Sequence, residues 1–156
     1  MLTTFRFSMM FALVSLSWLI LEFLLGLHTV HIDQFLLYDN LFFIPAVAIM
    51  VWALRYRRAE LGSAWTYWEG LKLGGIMGLM VGALSIPSLY FFFTYVNPSF
   101  FDDFIAFSVG SGEATPEEAA AYFNFKSYAM QSALYAPVAG LVTNAIAGLF
   151  YRKPIA

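Results

Sequence analysis

Apolar residues fall into four long runs, at about 7–27, 36–54, 70–95 and 129–150, and the polar residues are crowded into the short segments between them. At a rise of 1.5 Å per residue, a helix of roughly 20 residues crosses a hydrocarbon core. The pattern therefore predicts an all-α, polytopic membrane protein, a single four-helix transmembrane domain over 1–156. A lone Arg6 before the first run imitates a secretory signal, but the run is too long and no small-x-small cleavage site follows it. It reads as an uncleaved first helix. The second run is the shortest, needs residues from Leu36 onward to reach across, and should kink at Pro45. The third carries Pro87 two thirds of the way along, and the fourth contains Pro137.

The connecting segments have signals of their own. Residues 28–40 mix His28, His31 and Asp33 with aromatic residues and read as an external turn, with Asp33 as the N-cap of the second helix. Residues 99–107 look like a short amphipathic element lying on the membrane surface. After a flexible loop, Thr115-Pro116-Glu117-Glu118 forms a helix start, with Thr115 as N-cap and Glu118 as its capping-box partner.

Within the runs, small residues recur at a fixed interval. Gly70, Gly74, Gly78 and Gly82 stand every fourth residue on one face of the third helix, and Ser132, Ala136, Gly140, Asn144 and Gly148 repeat that interval on the fourth. In lipid, where burial gives helices little reason to associate, small faces let two backbones come close and gain dispersion contacts. The two stripes are expected to pack on each other, although the same face would also accept a helix of a partner subunit.

Composition narrows the class further. With 61% hydrophobic and only 12% charged residues, the chain lies far from an ordinary soluble domain, which is about 25% charged. The absence of cysteine rules out disulfides and thiolate metal sites. Charge distribution says more than the net value of -2. In a four-span arrangement Arg6, Arg55, Arg57, Arg58, Lys72, Arg152 and Lys153 fall on one side and only Lys126 on the other. By the positive-inside rule Arg55, Arg57, Arg58, Arg152 and Lys153 determine topology, with both termini in the cytoplasm.

Candidate chemistry is sparse. Glu22, Asp39, Asn40 and Gln131 would lie in the outward half of the bilayer, where a carboxylate must be protonated, paired or next to water. They form either a relay or ligand pocket, or a structural contact in which Glu22 bonds Asn40 or Gln131. His28, His31 and Asp33 lack a third strong ligand at metal spacing and read as solvated interfacial residues. Asn144 is expected to donate a hydrogen bond between helices. No catalytic pair, phosphate-binding loop, cofactor motif or nucleic-acid-binding feature is recognisable.

The segment Ala64-Trp65-Thr66-Tyr67-Trp68-Glu69-Gly70-Leu71-Lys72-Leu73-Gly74, the exit Tyr95-Val96-Asn97-Pro98-Ser99-Phe100-Phe101-Asp102, the external Thr115-Pro116-Glu117-Glu118 and the terminal small-residue helix resemble the domain-of-unknown-function 4199 family. The resemblance implies a four-span inner-membrane protein of a type common in Bacteroidota. It brings no activity. The leading expectation is a non-enzymatic membrane subunit or scaffold whose partners are the lipid bilayer and either further copies of the chain or other membrane proteins. The alternative is an oligomeric transporter or channel component with Glu22 as its intramembrane carboxylate. A lipid enzyme using Asp102, Asp103 and the histidines comes third.

Overall fold

The computed structural model describes residues 1–153, which are helical apart from short turns. Helices α1 (Leu2–Leu24), α2 (Phe35–Leu41), α3 (Phe43–Leu61), α4 (Tyr67–Phe91), α5 (Phe100–Gly110), α6 (Pro116–Tyr122) and α7 (Phe125–Phe150) follow in that order. Four stretches are long and apolar enough to cross a membrane: α1, the unit Ile32–Ala64 that holds α2 and α3, α4 with its extension to Val96, and α7. The all-α, four-span class expected from the apolar runs is the class observed.

The helix ends have local causes. Helix α1 closes on Gly26, whose φ of +73° lies in the left-handed region that glycine enters without strain. The Gly26 N–H then donates to the Phe23 carbonyl and the Leu27 N–H to that of Glu22, both at 3.0 Å, and the buried Leu27 completes a Schellman turn. Between α2 and α3 the helix tightens at Phe42, because Pro45 has no N–H to offer the carbonyl of Leu41. Asp33 does not cap this unit; it sits inside a 3-10 turn, and α2 begins with no side-chain cap. Helix α4 opens on Thr66, α6 on the full Thr115–Glu118 capping box, and α7 on Asn124, whose Oδ1 accepts from the Ser127 N–H at 2.9 Å. That last cap starts the final helix about a turn before the expected span.

Helices α4 and α7 form the most intimate pair of the bundle. Antiparallel, they meet through Gly74 against Gly140 and Asn144, Gly78 against Ala136 and Pro137, and Gly82 against Ala133. A Cβ added at Gly78 would lie 2.5 Å from the Ala136 oxygen and the Pro137 Cα, so no residue larger than glycine fits without parting the backbones. The Asn144 side chain, wholly buried, donates from Nδ2 to the Gly70 carbonyl at 3.0 Å. The seam extends to Gly148, which faces the Tyr67 ring of α4, while Gly70 meets α7 through its carbonyl and turns its α-carbon to Leu54 and Trp65. One stripe member sits elsewhere. Ser132 lines a neighbouring cleft, and Ala133 takes the contact with Gly82. The rotation of α7 about its axis is fixed by every neighbour it has, so the period alone did not set the register.

At one end of the bundle the chain's basic residues gather. Arg58 donates twice to the Lys153 carbonyl, at 3.0 and 2.8 Å, Arg57 pairs with Glu60 at 2.9 Å, and the Trp65 indole donates to the Tyr151 carbonyl at 2.6 Å. An apolar cluster around Phe7, Leu54, Trp65 and Met77 fills that end. The opposite end is packed by Phe35, Phe92, Phe93, Phe100 and Phe104. Helix α5 therefore does not lie free on a lipid surface. Its Phe100 and Phe104 turn inward and plug the end of the bundle, while Asp102 stays outside.

Candidate functional site

The Schellman turn after α1 has a chemical consequence: it folds the chain back over the helix end and delivers His28 to Glu22, six residues earlier. Both side chains are buried, Glu22 at 1% exposure and His28 at 0%. The expectation of a solvated His28 is overturned; only His31 is exposed. Burial of the imidazole follows from its surroundings, since the rings of Phe23, Phe35, Phe92, Phe100 and Phe104 stand 4.9 to 6.3 Å from it. Four of the five meet it edge to face, the arrangement aromatic quadrupoles favour.

The Ser99 hydroxyl donates its hydrogen to Asp103 Oδ2 at 2.7 Å and lies 3.2 Å from the side-chain amide of Asn97. That amide in turn approaches His28 Nδ1 at 3.4 Å. The other ring nitrogen, Nε2, stands 3.7 Å from Glu22 Oε2. The other carboxyl oxygen, Oε1, accepts from the Trp18 indole at 2.9 Å. Glu22 Oε1 is thus bonded, whereas Oε2 and His28 Nε2 face each other just beyond hydrogen-bond distance, and neither has a closer partner.

Glu22 also forms part of the wall of a cleft of about 560 Å³ that runs between the α2–α3 unit and α7, with α1 and α4 behind it. Asp39, Asn40 and Gln131 line the same cleft, so the four polar residues singled out within the bilayer share one space. They do not bond one another as a structural contact would require. Asn40 Nδ2 donates to the carbonyl of Leu36 and Gln131 Nε2 to the hydroxyl of Ser127, each within its own helix, and Glu22 is held by Trp18 instead. Tyr122, Tyr128 and Tyr135 add phenol groups, and Ser15, Ser85 and Ser132 add hydroxyls deeper in. These three serines also line an adjoining cavity of about 70 Å³, together with Ser88, a space large enough for a few waters.

Trp18, hidden among the aliphatic residues of the first run, carries no functional signal in the sequence, and His28 enters there only as an interfacial histidine and as a member of the lipid-enzyme alternative. Among the described residues no three His, Asp or Glu side chains come close enough to hold a metal ion. Acidic groups are the only charged side chains on the cleft wall.

An all-helical chain with four membrane-length spans and a carboxylate-lined cleft between them belongs to the class of polytopic helical membrane proteins. Within that class its family is defined: the chain belongs to the family described as Protein of unknown function (DUF4199), whose sequence pattern matches residues 6–153. No curated protein and no solved structure shows significant similarity to it.

Proposed function

We propose that the chain is a membrane transport or channel component in which a solute cation and a proton compete for the carboxylate of Glu22. The observation that carries this reading is the placement of a fully buried carboxyl group on the wall of a cleft of about 560 Å³. Burying an ionisable group in a membrane helix costs about 2.5 to 3.5 kcal/mol on insertion scales, and such groups persist where they serve a pathway. His28 Nε2 stands beside it as a second proton-binding atom, and the serine-lined cavity offers water a place deeper in the bundle. Four helices enclose no pore, so translocation calls for assembly with further copies or with other membrane-protein subunits. Proteoliposomes loaded with a pH-sensitive dye and given an imposed potential should show proton movement that Glu22→Gln removes. Unchanged movement in that variant would take the carboxylate out of the mechanism.

The scaffold reading has less support, because the small residues that would receive a partner's helix at Gly74 and Gly78 are spent on the contact with α7. Association with partners would use other faces. The excess of Arg and Lys at one end of the bundle supports cytoplasmic termini, and the family resemblance favours a bacterial inner membrane as the location. The cysteine-free sequence makes this simple to test. An impermeant maleimide should label Ser111→Cys and spare Ser63→Cys in intact cells; the reverse pattern would invert the topology.

A further inference from the structure

Three features of the cleft go beyond a bare carboxylate. The first is its extent. On α7 the wall runs from Tyr128 to Thr143, which is about 22 Å along the helix at 1.5 Å per residue. A volume of about 560 Å³ spread over that length leaves a channel about as wide as one extended hydrocarbon chain. The second is polarity. Glu22 and Asp39 lie at the end near α5 and α6, while Val47, Met50, Ala139 and Gly140 line the end toward the bilayer middle. The third is the opening. Its rims carry Phe43, 65% exposed, and Tyr135, 66% exposed, on surfaces that in a bilayer face acyl chains.

We infer that the cleft binds a single-chain amphiphile with a cationic amine head, which enters sideways from the bilayer. The inference rests on the transport reading above and names its substrate class. Charge decides the head group. No Lys, Arg or His lines the cleft, and its two acidic side chains have no salt bridge to a Lys or Arg. The buried Glu22 Oε2 has no hydrogen-bond partner of its own. An ammonium supplies the missing donor together with the opposite charge, and Asp39 at the exposed mouth adds a second attraction. An anionic or zwitterionic phospholipid is disfavoured, since its phosphate would meet two carboxyl groups with no cation on the wall.

The tail occupies the apolar length, where the small side chains of Ala136 and Ala139 leave room that α7 does not fill. Lateral access follows from the position of the gap between two membrane-spanning units.

The test uses the full chain in nanodiscs and the apolar reagent dicyclohexylcarbodiimide, which labels carboxyl groups within membranes; peptide mass spectrometry reads the label on Glu22. N,N-dimethyldodecylamine should protect Glu22 at a membrane concentration roughly tenfold below that of dodecanol, a ratio within reach of one charge-assisted hydrogen bond. Trimethylamine, the head without the tail, should protect poorly. Asp39→Asn, a change at an exposed site, should raise the amine concentration needed for half protection without abolishing labelling. Equal protection by dodecanol would remove the cationic head from the proposal, and equal protection by trimethylamine would remove the tail. No protection by any amine, with proton movement still dependent on Glu22, would overturn the amphiphile and leave the transport reading standing. Absence of both labelling and Glu22-dependent movement would overturn the two together.

Discussion

Gly78→Ala is the most direct test of what holds the bundle together. The added Cβ would sit 2.5 Å from the Ala136 oxygen and the Pro137 Cα, about 0.9 Å inside ordinary van der Waals contact at 3.4 Å. Both obstacles are backbone atoms of α7 and cannot rotate away, so the helices must separate by most of that distance. A gap of 0.5 to 1 Å forfeits about a quarter to a half of each dispersion contact it opens. Summed along the seam, this matches the roughly 1 to 3 kcal/mol that overpacking costs in tight cores. Alanine's better helix propensity returns at most about 1 kcal/mol, and less in lipid, where helicity is already enforced. The net expectation is a loss of about 1 to 2 kcal/mol. Gly75→Ala is the control on the same helix: its Cβ would meet only the Leu141 side chain, Cδ2 at 3.2 Å and Cγ at 3.7 Å, and that side chain can move. It should be neutral or slightly stabilising. Reversible unfolding in mixed detergent micelles, followed by circular dichroism, measures both. The reasoning is refuted if Gly78→Ala lies within about 0.3 kcal/mol of the parent, or is no worse than Gly75→Ala. Gly78→Leu, which no small separation accommodates, should fail to fold rather than merely lose an oligomer.

Other substitutions probe the remaining contacts. Gly26→Ala forces an L side chain into a φ of +73° and should cost about 1 to 2 kcal/mol in the same unfolding assay; no loss would mean that the turn does not hold His28 in place. Asn144→Ala removes the donor to the Gly70 carbonyl and should destabilise by about 1 kcal/mol, with a slower-migrating or aggregated fraction on size exclusion and no change in Glu22 labelling. For α6, the hydrogen bonds that Glu118 accepts from the Thr115 backbone and hydroxyl hold its carboxyl below the usual range. A lowered folded value means that the cap is fully stabilising above the unfolded value and is lost as pH falls through the folded one. Amide protection factors in α6, taken relative to the intrinsic exchange rate at each pH, should therefore fall in acid in the parent and be already low and independent of pH in Thr115→Ala; identical profiles would exclude the capping box as the cause.

The four spans are legible in the sequence because lipid leaves the backbone no choice but to satisfy itself within a helix, so length and apolarity alone define them. The contact of Gly74 and Gly78 with α7 is legible for a related reason: a glycine inside such a helix has only close approach to recommend it. Legibility ends where an outcome depends on which neighbour covers a face. Phe100 and Phe104, four apart, define an apolar face in the sequence, but nothing local says whether lipid or the bundle end will cover it. Similarly, the period of α7 allows either Ser132 or Ala133 to meet Gly82. His28 was within reach. Gly26 followed by the apolar Leu27 at the end of a helical run is the Schellman signature, and it turns the next residue back toward the last turn of α1.

The seam and the cleft follow from one distribution of side-chain size. Where α7 turns Ala133, Ala136 and Gly140 to α4, the backbones close up until no Cβ fits at Gly78. A helix drawn in that far cannot also cover the α2–α3 unit, whose approach to α1 is kept wide by rings such as Phe7 against Trp52 and Phe11 against Phe42, each pair under 6 Å between centroids. Larger residues at Ser132 or Ala139 would have filled the gap and gained the dispersion contacts that an open space forgoes. Instead the facing positions are small or polar, and the far end holds two carboxyl groups, one of them buried against an indole and an imidazole. Packing alone accounts for the seam, whereas the open volume beside it runs against packing and coincides with Glu22, the one acidic side chain buried among the described residues.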